Sequence, residues 1–311
     1  MNSQLGIIGS PHHLLGLDGI SVDRLHALLR RAQVFAAGEE SPNALAGVAV
    51  CTLFFEPSTR TRLSFQLAAQ RLGAHILNFD ASTSSATKGE TDLDTFRTIQ
   101  AMGVRGFVVR HKADGAVAAL AAEAAPGVAV VNAGDGRSEH PTQGLLDMLT
   151  LRQAKGEDFS RLKVVIVGDV KHSRVARSDL HALRTLGCSE IRVCGPASLL
   201  PDAGTLAGCA VTDDFDAALD GVDAVMMLRL QRERMAEGLV ASLDEYHRDY
   251  GLTSARLRRA APEAIVMHPG PMNRGVEITD EVADGSRSRI LDQVANGVAV
   301  RMAVLEAVLG R

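Results

Sequence analysis

Apolar residues in this chain fall into short unbroken runs, separated by segments whose apolar positions recur every three or four residues. The runs at 48–55, 75–79, 106–110, 128–132, 163–168, 191–194, 224–228 and 264–267, most of them continuously apolar, read as strands. A strand that is apolar at consecutive positions is covered on both faces, as in a parallel sheet held between helices. Among the segments between them, 62–72, 93–102, 116–124, 144–153 and 175–186 read as helices. Strand–helix alternation of this kind predicts an α/β fold with right-handed crossovers.

The eight strands divide into two sets of four near Lys155-Gly156-Glu157-Asp158, a polar stretch after the helix at 144–153. The expectation is two domains, each a mainly four-stranded parallel sheet flanked by helices. The first covers 1–153 and the second 154–293. A final helix, about 294–309, lies outside both strand sets and is expected to pack back on the first domain, so 294–311 is grouped with it. At 311 residues the chain has the length of two domains of about 150 residues each.

Composition narrows the function classes. With 46% apolar and 23% charged residues the chain has the profile of a soluble globular protein. Its net charge of −4 gives no global field for nucleic acid, so any anion site must be a local basic cluster. Cys51, Cys188, Cys194 and Cys209 show no C-x-x-C spacing and no histidine pair completes a zinc pattern, so no metal is expected. Cys51 and Cys194 sit in strand-like runs, where a free cysteine acts as a small buried hydrophobe. Reduced thiols, the absence of a secretory n-region and h-region, and the lack of an uncharged span of eighteen or so residues make a cytoplasmic location the expectation.

The densest chemistry is Phe54-Phe55-Glu56-Pro57-Ser58-Thr59-Arg60-Thr61-Arg62, where a strand ends and a helix opens. The outward N–H groups and dipole of a helix start favour an anion. Hydroxyls and a planar guanidinium add donors suited to phosphate oxygens. An ordinary N-cap with a solvated arginine is the alternative, and the density of donors weighs against it. Asp135-Gly136-Arg137-Ser138-Glu139-His140-Pro141-Thr142-Gln143 likewise follows a strand and opens a helix. Ligands of α/β sheets collect at the carboxyl ends of strands, where His140 could donate to a carbonyl oxygen and the Gln143 amide could hold an NH2 group. Arg110-His111 falls at another strand end, so polar groups converge.

Three further strand ends carry candidates. After Gly168 the residues Asp169-Val170-Lys171-His172-Ser173-Arg174 lack the second and third glycines of a dinucleotide fingerprint, which argues against a nicotinamide enzyme. Arg174 instead offers a guanidinium for a carboxylate. In Leu228-Arg229-Leu230-Gln231, alternation puts Arg229 and Gln231 on one side of an extended segment, facing one ligand or simply solvent. His268-Pro269-Gly270-Pro271 is a rigid loop that fixes carbonyl positions and admits a cis X–Pro bond. The polar loop 82–90, with Ser84 and Lys88, reads as a surface connection or as a lid closing over an anion.

These segments, in this order and over nearly the whole chain, resemble the catalytic chains of the aspartate carbamoyltransferase family, within the transcarbamoylase superfamily. The S-T-R-T-R element alone marks only the superfamily. Arg229-Leu230-Gln231 and His268-Pro269-Gly270-Pro271 look like the aspartate branch, and the S-M-G and H-C-L-P segments of the ornithine branch do not occur. The resemblance implies transfer of a carbamoyl group from carbamoyl phosphate to L-aspartate, a step of pyrimidine biosynthesis that needs no cofactor. It implies a carbamoyl-phosphate-binding first domain and an aspartate-binding second one.

Residue by residue, the resemblance implies that Ser58, Thr59, Arg60 and Thr61 hold the phosphate. Arg110, His140 and Thr61 polarise the carbonyl oxygen, and Gln143 with the Gly270-Pro271 loop, through the Pro271 carbonyl, holds the carbamoyl NH2. Arg174, Arg229, Gln231 and Lys88 bind aspartate. Ser84 and Lys88 enter from a neighbouring subunit, making a homotrimer the smallest active unit, and Glu56 and Arg234 bridge the domains on closure. The form Met272-Asn273-Arg274-Gly275-Val276-Glu277 after the H-P-G-P loop looks like the branch that associates with a dihydroorotase or dihydroorotase-like chain. Three other readings make distinct predictions. An ornithine acceptor would be repelled by Arg174 and Arg229, a scaffold chain would have lost chemical residues, and an NAD enzyme fails on the glycine pattern.

Overall fold

A computed structural model describes residues 13–80, 89–230 and 242–310. The first sheet contains β1 (Ala49–Phe54), β2 (His75–Asp80), β3 (Gly106–His111) and β4 (Ala129–Asp135), all parallel, in the order β2-β1-β3-β4. The second contains β5 (Lys163–Val167), β6 (Glu190–Cys194), β7 (Ala210–Thr212), β8 (Ala224–Met227) and β9 (Ile265–Met267), also parallel, in the order β7-β6-β5-β8-β9. All eight expected strands are present. The second sheet has five strands, not four: β7 is a three-residue edge strand, too short and too exposed to leave an apolar run.

The connecting helices are α1 (Val22–Ala36), α2 (Thr59–Arg71), α3 (Asp92–Ala101), α4 (Ala116–Ala122), α5 (Pro141–Lys155), α6 (Arg174–Thr185), α7 (Phe215–Leu219), α8 (Leu243–Tyr250), α9 (Ser254–Leu257), α10 (Asp280–Ala283) and α11 (Ile290–Leu309). The helix α1 precedes the first strand and was not among the expected helices. Ser21 caps it by accepting the Arg24 N–H, and Leu25, Leu28, Leu29, Ala32 and Phe35 bury one face at helical spacing. The final helix begins four residues earlier than expected and packs on α1, α2 and α5, back against the first sheet. One core cluster runs from α1 and β1 through α5 and α11 to β5 and α6, so both sheets share it.

Both sheets wind in two directions from a central pair. In the first, the order reverses between β1 and β3; in the second, between β5 and β8. A crevice opens at such a point, where the loops leaving neighbouring strands diverge to opposite faces. The segments that leave these four strands, 56–61, 110–112, 168–174 and 228–230, all border one cavity. No helix of the described residues is long and apolar enough to cross a membrane.

Candidate active site

The cavity has a volume of about 840 Å³ and lies between the two sheets. Its first wall is the start of α2. Ser58 is the N-cap in an extended conformation, and its hydroxyl does not cap the helix. Thr61 is buried in the first turn and Arg60 stands at the cavity mouth. Partial enclosure, and then the charge of Arg229 across the cavity, hold the Arg60 guanidinium below its ordinary value. Arg62 leaves the site: its guanidinium lies 5.3 Å from the centre of the Phe54 ring.

The second wall is a cluster of charges around Glu56. Arg110, buried at the end of β3, donates Nη2 to Glu56 Oε1 at 3.1 Å and Nη1 to the Ala133 carbonyl at 3.1 Å. Arg174, the first residue of α6, donates Nη1 and Nη2 to the same carboxylate at 3.1 Å and Nη1 to the Gly136 carbonyl at 3.3 Å. The carboxylate foreseen for Arg174 is thus supplied here by the chain itself. Burial pushes the Glu56 carboxyl up, but the two arginines outweigh it and the net shift is downward. Burial and the neighbouring charge of Arg174 push Arg110 down to about 10, even with Glu56 beside it.

Gly134 makes this pairing possible. Its φ is +125°, and a β-carbon there would lie 2.8 Å from Arg110 Nη1 and 3.0 Å from Arg174 Cζ. His111, which follows Arg110, turns away from the cavity. It pairs with Asp92 at 3.1 Å, accepts the Ala113 N–H and packs against Phe55.

His140 is the N-cap of α5, with Pro141 at the first helical position. Its backbone N–H donates to Ser178 Oγ at 2.9 Å, and the preceding Glu139 accepts from that same hydroxyl and from the Leu17 and Asp18 N–H groups. The ring is buried, and Nδ1 has no hydrogen-bond partner among the described residues. Burial first, then the charges of Arg110, Arg174 and Arg301, hold the imidazole well below its ordinary value, so it is neutral at physiological pH. One helical turn on, Gln143 lines the cavity with its Nε2 donating to Asp147.

The second sheet contributes Arg229 and the loop after β9. Leu230 is fully buried while Arg229 reaches the cavity, as alternation requires. His268 and Glu277 are both buried, 3.1 Å apart. His268 Nδ1 accepts the Gly270 N–H, so its Nε2 carries the proton toward Glu277. Glu277 also accepts the Asn273 N–H at 2.6 Å, and Asn273 donates to the Leu230 carbonyl, tying this loop to the Arg229 strand end. The Gly270-Pro271 bond is cis. Gly270 and Pro271 border the cavity beside Arg60, whose Cζ is 3.3 Å from where a Gly270 β-carbon would stand, at a φ of +65°.

Ser84, Lys88, Gln231 and Arg234 lie outside the described residues. All the other expected site residues border the one cavity. Arg60, Arg110, Arg137, Arg174, Arg229 and Arg301 line it against Glu56 and Asp169 as the only acids among the described residues. The charge of such a lining suits a substrate with several negative charges, and its fixed donors can stabilise charge that develops on a carbonyl oxygen. It has no activated thiol: burial pushes Cys51 and Cys194 up to about 12. No group of three or more His, Cys, Asp or Glu among the described residues is placed to hold a metal ion.

Two family models match the chain. Residues 12–153 match the carbamoyl-P binding domain of aspartate/ornithine carbamoyltransferases, and residues 160–308 match the Asp/Orn binding domain. The chain belongs to the aspartate/ornithine carbamoyltransferase family. Among its relatives, an aspartate carbamoyltransferase catalytic subunit from Stenotrophomonas maltophilia is 71% identical over 312 residues, covering 99% of each chain. One from Xanthomonas campestris pv. campestris is 70% identical over 313 residues with the same coverage.

Solved structures of the family superpose over nearly the whole length. Aspartate transcarbamoylase from Trypanosoma cruzi, in complex with carbamoyl aspartate and phosphate, has a TM-score of 0.86 at 31% identity and 96% coverage of each chain. Ornithine carbamoyltransferase from Thermus thermophilus has a TM-score of 0.85 at 29% identity, covering 97% of this chain and 100% of that one. Fold alone therefore does not separate the two acceptor branches of the carbamoyltransferases. The supporting residues of this carbamoyltransferase site that sequence reasoning missed are Gly134, Asp147, Gln293, Arg301 and the partner role of Glu277. Only Arg301 left a signal, as the single basic residue inside the apolar helix α11.

Proposed function

We propose that this chain catalyses carbamoyl transfer from carbamoyl phosphate to L-aspartate, giving N-carbamoyl-L-aspartate and phosphate in pyrimidine biosynthesis. The observation that carries the reading is the convergence of the α2 start, Arg110, neutral His140, Arg174 and Arg229 on one cavity. The phosphate is held at Ser58, Thr59, Arg60 and Thr61. Arg110, Thr61 and the His140 ring donate to the carbonyl oxygen. Gln143 and the Gly270-Pro271 loop take the carbamoyl NH2. Arg174, Arg229, Gln231 and Lys88 bind the two aspartate carboxylates.

The uncharged aspartate amine attacks the carbonyl carbon, and negative charge grows on the oxygen facing Arg110 and His140. When the C–O bond to phosphate breaks, the charge passes to phosphate, which accepts the proton lost by the amine. No covalent intermediate is needed. Binding both substrates in one orientation and stabilising the oxyanion supply the rate.

We assign carbamoyl phosphate to the half 1–153 with 294–311, and aspartate to the half 154–293, with closure drawing Glu56 and Arg234 across between them. The Glu56–Arg174 contacts between the halves support that division. The smallest active unit is a homotrimer in which Ser84 and Lys88 complete a neighbour's site. Exposed leucines on the first half, Leu63 and Leu67 one turn apart on α2 and Leu77 on the edge strand β2, support such an assembly. The H-P-G-P-M-N-R-G-V-E loop points to a dihydroorotase or dihydroorotase-like chain as a further partner. The four free thiols accord with a cytoplasmic site of action.

The test is product formation by the purified chain with aspartate or ornithine, together with its mass in solution. Carbamoyl aspartate from a trimer, none in Arg60→Ala and no citrulline from ornithine are expected. Near-wild-type turnover in Arg60→Ala refutes the phosphate site, and full activity in a monomer refutes the shared one.

A further inference from the structure

Behind Gln143 the helix α5 is buried on every side from Pro141 to Arg152. Gln143 and Asp147 are four residues apart and therefore share a face. The Gln143 Nε2 donates to Asp147 Oδ1 at 3.1 Å and to Oδ2 at 3.2 Å. Asp147 is fully buried and does not border the cavity. Its carboxylate also accepts Gln293 Nε2 from α11 at 2.6 Å. From α6, Asp179 faces it, and the Asp179 oxygens meet no donor among the described residues, so a proton between the two carboxyls is what satisfies them. Burial raises both carboxyls, Asp147 to about 7 and Asp179, which also feels the Asp147 charge, well above the usual carboxyl range. The shared proton therefore belongs to Asp179, and Asp147, held lower by the Gln293 and Gln143 amides, is the one that ionises and accepts. Arg301 is the cation that faces the pair, from α11.

An ionised carboxylate only accepts hydrogen bonds, so the amide turned toward it must present its NH2. The carbonyl end of the planar Gln143 amide is then the end left to the cavity. We infer that Asp147 is the positioning residue of Gln143, fixing the amide so that Oε1 accepts an N–H of the transferred group and the site selects carbamoyl over acyl groups lacking one. This rests on the carbamoyl-transfer reading of the same site and goes beyond it. The residue that enforces the choice never touches substrate.

Acetyl phosphate, which replaces the NH2 by a methyl, is the probe. The quantity to measure is its inhibition constant divided by the KM for carbamoyl phosphate, with kcat, in wild type, Gln143→Ala, Asp147→Leu, Asp147→Asn and the Gln143→Ala/Asp147→Leu double variant. The ratio is expected to fall by roughly tenfold in Gln143→Ala and in Asp147→Leu, as loss of one buried hydrogen bond implies. The double variant should fall no further. Asp147→Asn keeps an acceptor oxygen for both glutamines and turns its NH2 to Asp179, so it should keep the wild-type ratio.

A wild-type ratio in Asp147→Leu beside a collapsed one in Gln143→Ala overturns the inference and leaves the function standing. Additional loss in the double variant also overturns it. If Asp147→Leu does not fold, a collapsed ratio in the isosteric Asp147→Asn does the same. By contrast, no carbamoyl aspartate from the wild type refutes the functional reading itself.

Discussion

Replacing Glu56 with Gln tests the charge cluster that joins the two halves of the site. The carboxylate holds Arg110 and Arg174 through contacts of 3.1 Å. With charge centres roughly 4 Å apart and an effective dielectric of about 20, each pair attracts by about 4 kcal/mol. Desolvation of the carboxylate and repulsion between the arginines oppose this. A glutamine keeps the shape and one acceptor but leaves the two cations uncompensated. The net loss expected at pH 7 is about 2 kcal/mol, below the range for fully buried pairs because Glu56 keeps some contact with water.

The pH dependence follows from the sign of the shift. The Glu56 carboxyl is held below its ordinary value in the folded chain. Its contribution is therefore complete above the unfolded value of about 4.3 and disappears as the pH falls through the lower, folded value. Urea unfolding of wild type and Glu56→Gln between pH 7 and pH 3.5 or so should show a gap that is constant near neutrality and narrows at the acid end. A gap of equal size at both ends, or none at pH 7, would falsify the assignment of Glu56 as the charged clamp.

His140→Ala should lower kcat by about 10²–10³-fold, the usual cost of one oxyanion donor, with an unchanged circular dichroism spectrum. Because its imidazole is already neutral, wild-type activity should show no inflection from this residue as pH rises from 6 to 8. Gly134→Ala should displace both arginines, whose atoms lie 2.8 and 3.0 Å from the new carbon, and cost roughly 10²-fold in kcat/KM. An active variant with unmoved arginines in its crystal structure would count against that steric reasoning. Cys51 and Cys194, with thiols pushed up to about 12 by burial, should resist thiol reagents at pH 8 in the native protein and react in denaturant.

Parallel strands buried on both faces announce themselves as unbroken apolar runs, and all eight expected strands formed. Loops at strand ends are readable for the same topological reason, and Ser58, Arg110, His140, Arg174 and Arg229, all expected there, border the one cavity. The edge strand β7 left no run because two of its three residues are exposed, whereas the equally short edge strand β9 is buried throughout. The buried polar layer was harder to see. Within α5 nearly every residue is covered, so the periodicity that separates inside from outside vanishes, and Asp147 reads as an ordinary surface charge. Its partners Gln293, Asp179 and Arg301 come from helices distant in sequence, and only three-dimensional packing pairs them. His111 shows the opposite error: a promising position beside Arg110, yet the alternation of the strand directs it to Asp92.

The helix α11 closes the packing of α1, α2 and α5, yet it begins at Ile290, long after α5 ends at Lys155. During synthesis at about 5–20 residues per second, the first half waits on the order of ten seconds with that apolar groove unfilled. The second sheet, β5 to β9, lies in sequence between α5 and the helix α11 that completes this packing. Expressed as separate polypeptides, the two halves would leave the first without its own last helix.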